Sequence, residues 1–152
     1  MNLSRLQSEQ NKIELEELHR FNWEEVLNIQ LPEEQTKFVP PILYSIAQSR
    51  FEKNSKLYAI KYNDKKIGFL MLLVNTPVCW ISRIIIDEKY QNFGFGTKVI
   101  KKIIGEFLRK KRFSFIKAAV HKNNKVAQKF FHSLGFEPVE LIDNEVIFEL
   151  EV

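Results

Sequence analysis

The segment from Ile84 to Leu108 constrains the chain more than any other. Three isoleucines, Ile84, Ile85 and Ile86, end a strand-like run from Val78 and lead into a loop, Asp87 to Gly96, with glycines at two alternate positions, Gly94 and Gly96. Beyond it Val99, Ile100, Ile103, Ile104, Phe107 and Leu108 recur at helical spacing, while Lys98, Lys101, Lys102, Glu106 and Arg109 fall elsewhere, which predicts an amphipathic helix. A strand that turns through glycines into a helix is an anion cradle. The glycines let the main chain approach a ligand, and the first-turn amides, lacking intrahelical acceptors, donate to phosphate. The same pair serves equally to make a tight turn. The loop lacks the Gly-Lys-Ser/Thr ending of a P-loop and the third glycine of a dinucleotide fingerprint, so ATP hydrolysis and NAD binding are disfavoured.

On either side the same reading gives an alternating order. Residues 1 to 12 carry few apolar side chains and are expected to fray, and Ile13 and Leu15 alternate with Glu14 and Glu16 as in a strand. A helix is predicted over Asn22 to Ile29 with Asn22 as N-cap, and a second over Ile42 to Phe51 after Pro40 and Pro41. Strands over Leu57 to Tyr62 and Ile67 to Leu73 flank a polar turn at Asn63 to Lys66, and Val78 to Ile86 follows. After the amphipathic helix come a strand over Phe115 to Val120, a helix over Asn124 to Leu134 ended by Gly135, and a hairpin, Phe136 to Leu141 and Glu145 to Leu150. The unit from 78 to 120 predicts a right-handed parallel crossover.

Composition bounds the class. With 152 residues, 45% of them hydrophobic, one domain spanning 1 to 152 is expected, and 13 Phe exclude a generally disordered chain. A single cysteine, Cys79, excludes an internal disulfide and a cysteine-rich zinc site. The apolar runs are too short for a membrane helix of about 20 residues and the N-terminus has no signal-like apolar region, so a cytoplasmic setting is expected with no membrane partner. The net charge of +4 permits anionic partners. The run Arg109, Lys110, Lys111, Arg112 reads as a solvated helix end rather than a nucleic-acid patch.

Gln91, two residues, then Gly94-x-Gly96 resembles the pyrophosphate loop of the GNAT N-acetyltransferase superfamily, which binds acetyl-CoA. Asn124, Ala127, Phe131, Gly135 and Phe136 resemble the block that follows the fifth strand of that superfamily. Together the two cover about residues 13 to 150 in the same element order. Pro32 to Pro40 with Tyr44 to Ala47, Ile84 to Asp87 and Tyr90-Gln91 is similar to the bacterial spermine/spermidine acetyltransferases of the group. The resemblance implies an α/β (α+β) fold: a central twisted mixed sheet of about six to seven strands flanked by about four helices, splayed between the fourth and fifth strands. It also implies transfer of acetyl from acetyl-CoA, with no metal, to a primary amine such as spermidine or spermine. It leaves room for a homodimer, and for a protein or peptide acceptor or a non-catalytic CoA-binding domain instead.

Carried over by position, the resemblance gives the backbone of Ile84, Ile85 and Ile86 to the pantetheine arm. Gln91, Asn92, Phe93, Gly94, Phe95, Gly96 and Thr97, with Lys98 close by, go to the pyrophosphate, and Asn124 to a place near the cofactor arm. The three isoleucines also read as core, and Asn124 equally as a helix N-cap. Phe131 falls where the family carries a tyrosine general acid and cannot donate a proton, so it reads as core or as a wall against the pantetheine. Tyr90, His121 and His132 are the substitutes considered, each with an ordinary packing or surface role as the alternative. A polyamine channel would draw on Glu24, Glu25, Glu33, Glu34, Asp87 and Glu88, each otherwise a solvated acid.

Overall fold

The computed structural model describes residues 12–110 and 112–152. Apart from Lys12, the stretch expected to fray lies outside these residues, as do Lys111 and the side chains of Phe107 and Leu108. Seven strands form one sheet in the order β1-β2-β3-β4-β5-β7-β6. They are β1 (Ile13–Glu17), β2 (Ser55–Tyr62), β3 (Lys65–Asn75), β4 (Val78–Ile86), β5 (Phe115–His121), β6 (Glu137–Ile142) and β7 (Glu145–Glu151). Four α-helices accompany them: α1 (Glu33–Thr36), α2 (Ile42–Ser49), α3 (Phe95–Lys110) and α4 (Lys125–Ser133). Every neighbouring pair is antiparallel except β4 and β5, which run parallel and are joined through α3.

Several sequence expectations are corrected. The helix read over 22 to 29 is a 3-10 turn, Trp23–Asn28, and Asn22 makes no side-chain cap. Asn22 is buried and spent elsewhere: its Nδ2 donates to Glu16 Oε1 at 2.7 Å and to the Glu17 carbonyl at 3.1 Å, and its Oδ1 accepts from the His19 amide at 2.7 Å. The β2–β3 hairpin closes on two residues, Asn63 and Asp64, whose φ of 48° and 64° suit the short polar side chains that tolerate left-handed backbone; Lys65 and Lys66 therefore belong to β3. Helix α2 stops at Ser49, short of the expected Phe51, and α1 was not anticipated as a helix.

The sheet carries a core on each face. On one, Val99, Ile100 and Ile103 of α3 and Phe131 of α4 bury against Ile60, Leu70, Leu72, Cys79, Ile81 and Ile116. On the other, Val26 and Ile42 bury against Ala59, Phe69, Met71 and Ile85. Residues of β4 on the α3/α4 face are odd-numbered at Cys79 and Ile81 but even-numbered at Ile84 and Ile86. A bulge explains the change: Met71 pairs with Arg83 and Leu72 with Ile81, leaving Ser82 as an extra residue that flips the alternation. Arg83 is thereby turned toward the α2 face, beside the split in the sheet.

Candidate functional site

Pairing between β4 and β5 runs from Val78↔Phe115 to Ile81↔Ala118 and then ends. Beyond it, on the side away from β3, no strand among the described residues pairs with the β4 edge from Ser82 to Ile86, and the gap opens into two clefts. The first, of about 460 Å³, lies on the α3/α4 face between Ile84 and Ile86, the loop at 91–97, and Asn124, Ala127, Phe130 and Phe131. The second, of about 670 Å³, lies between the segment Thr36 to Pro41, Gln48 of α2, the 80–84 part of β4, the end of β5 and Glu145. Val39, Ile84, Asn124, Ala127 and Phe131 line both, so the clefts meet at the split.

The loop geometry follows from its residues. Asp87 ends β4 by capping a 3-10 turn: its Oδ1 accepts from the Lys89 amide and its Oδ2 from the Gln30 amide, each at 3.0 Å. Asn92 and Gly94 then take φ of 67° and 82°, bending the chain back into α3. Lys98 is the first intrahelical donor, bonded to the Gly94 carbonyl at 3.1 Å, so the amides of Phe95, Gly96 and Thr97 have no acceptor within the helix. A Cβ built on Gly94 meets nothing within 4 Å, leaving the main chain open there; one built on Gly96 comes 3.2 Å from the Phe130 ring, so Gly96 also lets α3 lie close to α4.

Of the sequence-assigned residues, Ile84, Ile86, Gln91, Asn92, Gly94, Phe95, Gly96, Thr97, Asn124 and Phe131 line the first cleft. Ile85 points away into the opposite core, Phe93 is exposed, and the Lys98 ammonium lies 5.7 Å from the Phe95 ring. The Gln91 side chain is a strut: it donates to the Ile86 carbonyl at 2.9 Å and exchanges hydrogen bonds with Gln35 of α1 at 3.0 Å. Asn124 Oδ1 accepts from the Ala127 amide at 3.2 Å, the N-cap alternative, while the residue still faces both clefts. Phe131 is 4% exposed and packs edge-on to Phe130 and Phe136, so its ring is core and cleft wall at once.

The proton-carrying candidates separate. Tyr90 lines the first cleft and His121 the second; His132 lines neither. His121 Nδ1 accepts the Asn123 amide at 3.1 Å, which places the imidazole proton on Nε2 and makes that nitrogen a donor. None of Glu24, Glu25, Glu33, Glu34, Asp87 and Glu88 lines either cleft, and Glu25 is 2.8 Å from the Lys66 ammonium. The second cleft instead holds Lys37, Arg83, His121 and one carboxylate, Glu145. Sequence reasoning missed Arg83 and Glu145. A lone charge inside the apolar run of β4 was the signal for Arg83. Burial pushes its guanidinium pKa below the ordinary range, opposed by the charge of Glu145.

A family model described as the acetyltransferase (GNAT) family matches residues 14–136. Among curated proteins no sequence match is found. Similar solved structures include PaiA N-acetyltransferase from Thermoplasma acidophilum in complex with coenzyme A (17% identity, TM-score 0.71, 93% of this chain and 99% of that one). A GNAT family acetyltransferase from Elizabethkingia anophelis with acetyl-CoA bound gives 16% and 0.67 over 92% and 98%. The ribosomal-protein-S18-alanine N-acetyltransferase from Escherichia coli gives 17% and 0.71 over 93% and 94%. At these identities the structural likeness establishes the fold: an open mixed sheet split between its fourth and fifth strands.

Proposed function

This chain belongs to the acetyltransferase (GNAT) family and is an acyl-CoA N-acetyltransferase, and we propose that it moves the acetyl group of acetyl-CoA directly onto a small primary amine at the β4–β5 split. The observation that carries the assignment is the junction of two clefts there, one floored by unpaired first-turn amides and the other open to solvent on the opposite face. The residues suit the cofactor. Main-chain amides of Phe95, Gly96 and Thr97 would hold the diphosphate beside the open backbone at Gly94, and the free edge of β4 offers amide partners to an extended arm. When bound, acetyl-CoA supplies a thioester: the C–N bond forms, the C–S bond breaks, and of the two protons lost by the ammonium nitrogen one passes to solvent and one ends on the thiol sulfur.

The chain contributes position and a donor-rich wall. With the imidazole proton of His121 on Nε2 and Phe131 aprotic, neither takes the ammonium proton in this arrangement. The reactive species is then the neutral fraction of an amine whose conjugate acid has a pKa of about 10.4, in a cleft open to water. A polyamine acceptor, implied by the resemblance, has Glu145 in its favour; Lys37 and Arg83 beside it favour an acceptor without several positive charges. The test is release of free thiol from acetyl-CoA with a panel of spermidine, spermine, monoamines, amino acids and peptides, alongside calorimetric CoA binding. Turnover on small amines is expected. CoA binding without turnover on any acceptor would mark a non-catalytic domain, and turnover confined to peptides a protein acetyltransferase; either overturns the proposal.

A further inference from the structure

Arg83 is an anomaly in the amine-side cleft. Its Nη1 donates to the Ser82 carbonyl at 2.7 Å and its Nη2 to Gln48 Oε1 at 3.1 Å, which fixes the guanidinium plane. Its Nε is buried with no acceptor, the one such side-chain nitrogen or oxygen among the described residues. The described ion pairs join Glu16, Glu25 and Glu149 to lysines, and none reaches Arg83. A partly buried, immobilised guanidinium that has only the charge of Glu145 in its cleft and no carboxylate in ion-pair contact is a ready partner for an anionic ligand. Two more donors share the cleft, the Lys37 ammonium and the His121 Nε2 proton.

We infer that Arg83 is a specificity residue that binds an anionic group carried by the acceptor, so that the substrate is an amino-carboxylate rather than a polyamine. The inference rests on the acetyl-transfer reading above. The bulge at Ser82 is what turns Arg83 to the α2 face, so that the anion would be held on that side of the sheet while the amine reaches through the split. A carboxylate suits the site because Nη1 and Nη2 each keep one hydrogen beyond those given to Ser82 and Gln48, and a charged oxygen is the strongest acceptor for them. Glu145, in the same cleft, then acts as a repulsive neighbour that a competing cation would prefer.

The experiment compares acetyl-CoA turnover on an ω-amino acid, on the alkylamine of the same length without the carboxylate, on spermidine, and on a peptide with an acidic side chain next to its free amine. The ω-amino acid is expected to be the best acceptor, and Arg83→Gln to raise its KM by about 10- to 100-fold, as expected for loss of hydrogen bonds to a charged group, without raising that of the alkylamine. Glu145→Gln should lower the KM for the amino acid and raise it for spermidine. Arg83→Lys, which keeps the charge but not the fork, should recover part of the loss, and unchanged CoA affinity in each variant shows that it is folded. Spermidine or the plain alkylamine outperforming the amino acid, or an unchanged KM in Arg83→Gln, would overturn the inference while leaving acetyl transfer in place. Preference for the acidic peptide would overturn the small-molecule source of the anion. Absence of CoA binding in the unaltered protein would instead remove the acetyl-transfer reading itself.

Discussion

Replacing Gly94 by alanine separates backbone conformation from bulk. The residue sits at φ of 82°, and an added methyl meets nothing within 4 Å, so the substitution introduces no clash. What it introduces is the intrinsic cost of left-handed backbone for an L-residue, about 1–2 kcal/mol. If the free loop keeps its shape, the cost falls on folding. If the loop relaxes, the cost falls on recovering the cradle around the diphosphate. The two losses must then sum to that amount, and if all of it falls on binding the Kd for CoA rises by about 5- to 30-fold. Gly105 is the matched control, because a methyl there also meets nothing but its φ is not positive, and it lies in mid-helix. Gly105→Ala should stabilise the fold by about 0.5–1 kcal/mol with CoA affinity unchanged. Calorimetry with CoA and urea unfolding read both quantities. A Gly94→Ala protein unchanged in stability and in Kd, or a Gly105→Ala protein that binds CoA more weakly, would refute the reasoning.

Other outcomes follow from buried groups. Asn22→Ala removes three hydrogen bonds from a residue 5% exposed and should cost about 1–3 kcal/mol by urea unfolding. The hydrogen bond from Asn22, followed by that from Lys61, holds the Glu16 carboxyl below its usual pKa. That stabilisation is therefore present above the unfolded carboxylate value and lost as pH falls through the lower folded one, so the Asn22→Ala penalty should shrink in acid. Burial pushes the Cys79 thiol up to about 12, so native protein should resist iodoacetamide at pH 8 and react only when unfolded. Phe131→Tyr should leave CoA affinity unchanged and raise kcat by about tenfold or more if the hydroxyl reaches the departing sulfur; an unchanged kcat with normal affinity would show that the thiolate leaves unassisted.

The elements that position the site were legible because their signals are local. The apolar strand-forming runs of β2 to β5, the apolar stripe of α3 through Val99, Ile100 and Ile103, and the glycines of the loop each depend on residues a few places apart. The glycine-loop residues that line the first cleft carry the same kind of local signal. The Gln91–Gln35 strut was not, because its partners are 56 residues apart and neither glutamine alone implies a mate.

Arg83 is the sharper case. Unbroken alternation from Cys79 and Ile81 would put Arg83 on their face, buried among α3 and α4, where a guanidinium could not be satisfied. The structure resolves the conflict with one unpaired residue, Ser82, fixed by which β3 residues face it: Met71 takes Arg83 and Leu72 takes Ile81. That choice is made across strands and leaves no periodic mark. The same shift turns Ile84 and Ile86 to the α3/α4 face, so one bulge sorts apolar wall from charged wall at the point where β4 and β5 part. Had the register stayed continuous, Arg83 and Ile85 would face α3 and α4, and Ile84 and Ile86 would face the opposite side. The charge on the α2 face and the apolar wall on the other are therefore a single structural fact, and deleting Ser82, the extra residue, should leave both in place, because Ile81 and Arg83 already pair with the adjacent Leu72 and Met71.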